Sequence, residues 1–297
     1  MSASIRSFLA AIALLCAACG RSPFALRFAS VVDDVTVGCS EDLPGFGPSG
    51  ADHIGINDLR FYVSDVVFRD AAGRDIDTTF DADEFQYSSS QGWVGLVDLT
   101  GTEGTCASAA LGGGEGTART HTAITGTTFV QDVATVSFVV GVPQPLMKEV
   151  VADYSAEGAP SPLAEMHWSW AGGHRHFVFN FTLNGGGAGG EGYIHVGSRS
   201  CGTAGGRVLS TQDTCDFINN PIVSLDDFDV ERDVVGVDLR HLLQGVDFNV
   251  GGNPGVECHS SPMQPDCAVV FDSLGLNIDT GTASAPSNTV FARPHHH

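Results

Sequence analysis

HFVFNFTL, residues 176–183, changes side-chain character at every second position. Phe177, Phe179, Phe181 and Leu183 are large and apolar, whereas three of the four residues that alternate with them are polar. Successive side chains of a β-strand point to opposite faces, so this period of two predicts a strand with one phenylalanine-rich face. Such a face has to be covered by a second apolar layer, which favours a two-layer β-protein.

The same alternation recurs elsewhere in the chain and predicts further strands. It is found at residues 24–28, 59–68 and 135–142. Glycine-rich runs at 111–116 and 184–190 predict long loops. Helical patterns are short and lie near 147–154, 239–243 and 268–274. We therefore predict an all-β fold, a single antiparallel β-sandwich domain with long Gly-rich loops and a few short helices, stapled by disulfides.

The N-terminus has the pattern of an export signal. Arg6 supplies a positive charge ahead of the apolar run FLAAIALL, and small residues then precede Cys19. This pattern predicts a lipoprotein signal peptide at 1–18 and a lipid on Cys19. The alternative is an ordinary secretory signal that is cut near Ala18. The mature domain would span 20–294, and the three histidines at 295–297 are typical of a purification-tag remnant.

The expected location is the periplasmic face of a bacterial membrane, with the outer membrane favoured. No other apolar run is long enough to cross a bilayer, so we expect a lipid anchor without a transmembrane helix. The chain carries 35 acidic and 14 basic side chains, and its formal net charge is −21. This charge repels nucleic acid, and it favours a cation or a protein with a basic docking face as the partner.

Six cysteines follow the signal segment, and an even number in an oxidising compartment predicts three disulfides. Fifteen pairings are possible. Proximity in sequence favours Cys201 with Cys215 and Cys258 with Cys267, which leaves Cys39 with Cys106. A thiolate metal site is the rival interpretation, but the chain has no Cys-x-x-Cys pair.

Several ordered segments resemble the MbnP-like, or metallo-mystery-pair, family. They are DLRFYVSDV at 58–66, GVP at 141–143, MHWSWAGG at 166–173, HVGS at 195–198 with Cys201, and the stretch CHSSPMQPDC at 258–267 followed by LGL at 274–276. Each is weak alone, but the ordered set is specific and covers most of the mature chain.

The resemblance implies a copper-homeostasis protein that is not itself an enzyme. In that family, a diheme partner of the cytochrome c peroxidase/MauG type, MbnH, oxidises the first tryptophan of a Trp-x-Trp motif to kynurenine, and the modified protein binds Cu(I). That tryptophan is Trp168 here. Trp170 is two residues further on and would share its face in an extended segment, so we expect it to relay oxidising equivalents towards Trp168. Without the resemblance, the pair would be interpreted as two core aromatics.

The chemistry of the indole agrees with that role. An indole nitrogen gives its lone pair to the ring and cannot ligate a metal, whereas opening the ring leaves an aniline-type amine that can. A soft monovalent cation prefers neutral nitrogen and thioether donors over carboxylates. Met166 is therefore a possible donor, although core filling is the more usual role of a methionine.

Histidine is the other expected ligand type. We predict His195 because it lies in the family-like HVGS segment, then His176 and His53. His174 shares the face predicted for His176, and His167 should point away from the Trp168 face. Surface or hydrogen-bonded positions are expected for His121, His241 and His259. One departure concerns residues 144–148, QPLMK, where many family members have an Asn-His pair. Either the ligand set differs here, or a ligand comes from elsewhere in the chain.

Two other functions have to be weighed against copper binding. Structural calcium would use clustered carboxylates: Asp75, Asp77, Asp81, Asp83 and Glu84, and separately Asp226, Asp227 and Asp229. Neither cluster has the spacing of an EF-hand loop. A surface β-sandwich that binds a protein or carbohydrate partner would use an exposed platform of Trp93, Phe85 and Tyr87. Hydrolase motifs are missing from the sequence.

Overall fold

The computed structural model describes residues 20–102, 106, 119–153, 159–168, 173–185, 190–201, 215–249 and 255–294, with the backbone alone at 150–153 and 184–185. The strands are β1 (Ser22–Val32), β2 (Val35–Thr36), β3 (Leu43–Phe46), β4 (Asp52–Arg69), β5 (Thr79–Phe80), β6 (Gln86–Ser89), β7 (Gly92–Asp98), β8 (Ala123–Thr128), β9 (Thr135–Val140), β10 (His167–Trp168), β11 (Gly173–Gly185), β12 (Gly190–Gly197), β13 (Arg199–Cys201), β14 (Cys215–Phe217), β15 (Ile222–Asp226), β16 (Val234–Asp238), β17 (Val256–Cys258), β18 (Leu274–Leu276), β19 (Ala283–Asn288) and β20 (Phe291–Ala292). The helices are α1 (Gln144–Asp153), α2 (Leu239–Leu242) and α3 (Pro265–Ser273), with a 3₁₀ turn at Val130–Asp132.

These strands form two large sheets and two short hairpins. The six-stranded sheet has the order β20-β16-β1-β8-β5, with β2 on β1. The ten-stranded sheet has the order β15-β9-β4-β11-β12-β17, with β3 and β7 also on β4, β6 on β7, and β10 on β11. The predicted all-β sandwich is confirmed.

Two strand pairs are parallel, which differs from the predicted purely antiparallel arrangement. β1 pairs with β16, and β12 pairs with β17, both in parallel. In each case the chain forms several other elements before it returns, and a parallel pair requires such a crossover. The glycine-rich run at 184–190 is partly strand, because β11 continues to Gly185 and β12 begins at Gly190. The run at 111–116 lies outside the described residues.

Phenylalanine rings fill the space between the two sheets. Phe28 of the six-stranded sheet meets Phe61 and Phe138 of the ten-stranded sheet edge-on, with ring centres 5.5 and 5.7 Å apart. Phe177, Phe179 and the other apolar members of the 176–183 alternation belong to this core. The face predicted from their period of two is therefore confirmed.

The opposite face of the ten-stranded sheet is also covered. A second apolar cluster there includes Tyr62, Leu163, Met166 and Val178. Residues 159–168 and helix α1 supply the cover, so β4 has buried side chains on both faces over most of its length. Buried polar side chains need a hydrogen-bond partner or a bound ligand. Those on this outer face are therefore the first candidates for a binding site.

All three predicted disulfides are present, as Cys39–Cys106, Cys201–Cys215 and Cys258–Cys267. The three short helices also form close to their predicted positions. In the described part of the chain, no helix has the length and apolar character needed to cross a bilayer.

Candidate metal centre

Two histidines meet at one edge of the outer face. His195 of β12 is 6% exposed, and its Nδ1 lies 3.2 Å from Nδ1 of His259, just after β17. Two nitrogens that share a tetrahedral metal at about 2.0–2.1 Å are about 3.3 Å apart. At present one of the two Nδ1 atoms must carry a hydrogen for the contact to be attractive. A cation in the place of that hydrogen would use both lone pairs.

The remaining nitrogen of each ring faces an acceptor. His195 Nε2–H donates to Asn180 Oδ1 at 2.8 Å, and His259 Nε2 lies 3.4 Å from Glu257 Oε1. Metal-binding histidines almost always donate their second N–H to a carboxylate or carbonyl oxygen, which orients the ring and fixes the tautomer. Both supporting acceptors are thus in place for a form with a hydrogen on each Nε2, in which the two Nδ1 lone pairs would be free to bind a shared cation.

The parallel strand pair explains how His259 reaches this position. Ile194 of β12 is opposite Cys258 of β17, so the next residues along the two strands, His195 and His259, come side by side. The Cys258–Cys267 disulfide holds the end of β17, and Ser260 Oγ donates to the His195 carbonyl. The backbone of the pair is therefore held by a covalent and a hydrogen-bonded link.

The environment keeps the rings uncharged. Burial, followed by the charges of Arg175, His259 and Arg60, lowers the pKa of His195 to about 2. Burial also lowers the pKa of His259, although Glu257 acts in the opposite direction. Neutral imidazoles keep a lone pair for a metal at neutral pH.

Trp168 lies next to the strand that carries His195. β10 pairs with the start of β11, which places Trp168 opposite Gly173. A methyl group built on Gly197 would lie 2.9 Å from Cε3 of the Trp168 ring. Gly197 and His195 are two apart in β12 and face the same side, roughly 7 Å from each other along the strand. The indole and the histidine pair thus belong to one region of the outer face.

Comparison with known proteins agrees with this architecture. The sequence profile of the MbnP family matches residues 21–260. The chain belongs to the MbnP family. A solved structure of MbnP from Methylosinus trichosporium matches with a TM-score of 0.72 and 26% sequence identity, over 93% of this chain and 99% of that one. No curated protein matches the chain in sequence.

In this MbnP family member, the other two predicted histidine ligands are placed differently. His176 is fully buried, and both of its nitrogens are used: Nδ1 accepts from Val142 N–H at 3.3 Å, and Nε2–H donates to Ile218 O at 3.0 Å. Burial lowers its pKa to about 3. A metal would have to displace one of these hydrogen bonds, so the placement argues for a structural role.

His53 lies far along the sheet from His195. It is opposite Asn184 of β11, whereas His195 is opposite Val178 of that strand. Six residues of strand separate the two rows, or roughly 20 Å. The His53 ring is partly exposed and pairs with Asp42 at 2.7 Å. His53 therefore does not lie near His195, as a shared copper site would require.

Sequence reasoning missed His259, Asn180 and Glu257. The only available signal for His259 was its position beside Cys258, and nothing local showed that β17 returns next to β12. Within the described ranges, no three His, Cys, Asp or Glu side chains are grouped so that they could hold a metal. A metal at the His195–His259 pair would therefore need a further donor of another kind.

Several predicted features lie outside the described residues. These are Trp170, the signal segment with Cys19, and the terminal histidines at 295–297. Residues 144–148 are described and form the first part of α1, where Gln144 donates its amide to the carbonyl of Cys215. The family's Asn-His position thus supplies no imidazole in this chain.

Seven of the eight carboxylates considered for calcium have protein partners. Asp75 pairs with Arg69, and Asp77 pairs with Arg21. The others bond to hydroxyl, amide or guanidinium groups: Asp81 to Thr125, Asp83 to the amides of Phe85 and Gln86, Glu84 to Arg119, Asp226 to Thr135, and Asp229 to the amide of Glu231. Such contacts are typical of ordinary turns, and they do not favour a calcium-binding site at these carboxylates.

The aromatic residues considered for a carbohydrate platform are partly buried and packed on other groups. Trp93 stacks on Phe80 with ring centres 4.2 Å apart. Phe85 stacks on His121, with ring centres 4.0 Å apart. Tyr87 donates its hydroxyl to Glu149. The expected exposed platform is therefore not formed.

Proposed function

We propose that this chain is an exported Cu(I)-binding protein whose site is completed when a diheme partner oxidises Trp168 to kynurenine. The supporting observation is the His195–His259 pair, in which each ring has an acceptor for its second N–H and the two Nδ1 atoms converge. Two imidazoles and the amine of the opened ring would give three neutral nitrogen donors. Such a set suits a soft monovalent cation.

The oxidation of Trp168 changes the ring as follows. The C2–C3 bond of the indole breaks, and each of the two carbons gains one oxygen atom, a four-electron oxidation. The partner haems would draw the oxygen and the oxidising equivalents from two molecules of hydrogen peroxide, which leave as two molecules of water. Hydrolysis of the resulting formamide releases formate and leaves the free aromatic amine. The ring nitrogen thereby gains a usable lone pair.

The charges around the histidine pair favour a cation of low charge. Arg60 and Arg175 are buried on the same outer face, and both act on His195. Arg60 is neutralised by two hydrogen bonds to Asp58, both at 2.8 Å. The positive potential that remains opposes a divalent ion more strongly than a monovalent one, since the Coulomb energy scales with the charge.

The partner and the cellular location that we propose are those that the family resemblance implies. A net charge of −21 suits docking to a basic face of a diheme protein of the MbnH type. A lipid on Cys19 would hold the protein at the periplasmic side of the outer membrane. Labelling cells with radioactive palmitate decides this point, because a wild-type chain without label would contradict the lipoprotein assignment. The protein itself binds and does not catalyse.

Mass spectrometry tests the modification directly. The tryptic peptide 149–175 contains Trp168, and ring opening with loss of formate raises its mass by about 4 Da. We expect this shift when the chain is expressed with the diheme partner and the unshifted mass when it is expressed alone. Only the shifted protein should keep one copper through desalting in the presence of a chelator. An unshifted peptide in both samples would overturn the proposal.

Variants of the co-expressed protein identify the ligands. Trp168→Phe and His259→Ala should each lose the chelator-resistant copper. His241→Ala is the matched control, because His241 lies on α2 and pairs with Asp238. Copper retained at wild-type stoichiometry by Trp168→Phe would show that kynurenine is not a ligand.

A further inference from the structure

A second pair of histidines lies beside Trp168 in the β10–β11 strand pair. His167 of β10 is directly opposite His174 of β11. Their ring centres are 5.3 Å apart, and the ring planes are inclined by 80°. The function proposed above uses neither residue.

His174 has an unused nitrogen inside the protein. The side chain is fully buried, and its Nε2–H donates to the carbonyl of Leu163 at 3.0 Å. This bond fixes the hydrogen on Nε2. Nδ1 is buried and has no hydrogen-bond partner in the described part of the chain. A buried acceptor without a donor costs free energy, which a bound cation would recover.

His167 provides access from the surface. Its side chain is half-buried, whereas His174 behind it is enclosed between His167 and Tyr62, whose ring is 6.0 Å from the His174 ring. Burial lowers the pKa of both histidines, that of His174 to about 3. Both rings are therefore neutral at pH 7, and each has a lone pair to offer.

We propose that His167 and His174 form a second, exchangeable Cu(I) site that operates while the Trp168 ring is still closed. A metal about 2.0 Å from one nitrogen of each ring, at a trigonal or tetrahedral angle, puts the two ring centres about 5 Å apart. The observed 5.3 Å meets this requirement. His167, Tyr62 and the Leu163 carbonyl contact the His174 ring, and none of them is an anion. No carboxylate contributes to the pKa shift of His174, and neutral nitrogen donors favour a soft monovalent cation.

The test uses the full mature chain expressed without the diheme partner, so that Trp168 stays closed. The probe is Cu(I) alone, added under argon to protein labelled with ¹⁵N-histidine. We expect the Nδ1 resonance of His174 to shift on addition of one equivalent. His167→Phe, which keeps a ring but removes the donor, should weaken the Cu(I) association at this site at least about tenfold. His259→Ala should leave the affinity of this site within about twofold of wild type.

An unshifted His174 resonance, or unchanged affinity in His167→Phe, would overturn the second site. A loss at this site caused by His259→Ala would also overturn it, because the cation would then depend on the other pair. These outcomes are separate from the function proposed above, which is judged from chelator-resistant copper in the modified protein. Each proposal can therefore fail without the other.

Discussion

Gly197 is closely surrounded by His174, Arg175 and Trp168 on the outer face. A methyl group at this position would lie 2.5 Å from the His174 carbonyl oxygen, 2.8 Å from Cα of Arg175 and 2.9 Å from Cε3 of Trp168. Two of these neighbours are backbone atoms of β11 and cannot move aside without breaking the strand pair. The missing side chain at 197 is what lets the indole approach the strand of His195.

Gly197→Ala should therefore destabilise the protein by about 1–3 kcal/mol, the usual cost of overpacking a buried site. Urea unfolding measures this difference. Gly38→Ala is the control, since a methyl group there would meet only the carboxylate of Glu41, at 3.5 Å. Equal midpoints for the two variants would show that the contact at Gly197 is not tight.

At the residue scale, the sequence predicted part of the site. Trp168 and His195 came from motifs that resemble the family, and both lie on the outer face where the pair forms. His259 was expected at a surface or hydrogen-bonded position, and its neighbours in sequence, Cys258 and two serines, do not indicate a metal site. Its role depends on a strand partner more than 60 residues away in the chain. Local patterns do not contain that information.

Residues 159–168 form the element that covers the outer face and ends in Trp168. Tyr62, in the middle of β4, is fully buried below it. Its hydroxyl donates to Pro162 O at 2.9 Å and accepts from Met166 N–H at 3.2 Å. One hydroxyl thus connects the covering segment to the central strand at two points. The second of these points, Met166, is two residues before Trp168.

Tyr62→Phe should loosen this segment. The change leaves the Met166 amide without its acceptor, at a cost of about 1–3 kcal/mol, whereas the Pro162 carbonyl keeps the Glu165 amide as a donor at 3.1 Å. Hydrogen exchange of the Met166 amide should accelerate by more than tenfold. Tyr193→Phe is the matched control, because the Tyr193 hydroxyl bonds to Glu191 at the surface. Exchange of Met166 at the wild-type rate would mean that apolar packing alone holds the segment.

At the element scale, the period of two predicted which segments form strands but not which strands pair with each other. The alternation at 59–68 and 176–183 predicted the strands that became β4 and β11, which are hydrogen-bonded neighbours. Strands as short as β10 and β17 have too few residues to show a period. They form because neighbouring strands offer open edges. These two short strands carry Trp168 and lead into His259, so the site was the least predictable part of the fold.

The whole molecule holds several histidines in their neutral form. Burial lowers the pKa of His174 and His176 to about 3 and that of His195 to about 2. In the unfolded chain each would have a pKa of about 6.5. Below that pH the unfolded state binds more protons than the folded one, so stability decreases as the pH falls. Above pH 6.5 the contribution is fully present.

The free energy of unfolding should therefore drop between pH 6.5 and 5 by up to about 1.4 kcal/mol per pH unit for each of these three histidines. Urea titrations at pH 7.5, 6.5, 5.5 and 5.0 measure the slope. Most carboxylates titrate below this window, so the histidines dominate it. A stability that is constant from pH 7.5 to 5.0 would contradict the burial of the three rings.

The 64-residue interval between His195 and His259 has a consequence for timing. A polypeptide threaded through a membrane from its amino end delivers the first of these rings early and the second only near completion. Until β17 has emerged and paired with β12, the Nδ1 atoms of His195 and His259 are not close to each other. Under the proposed function, copper therefore cannot bind at the His195–His259 pair until export is nearly complete.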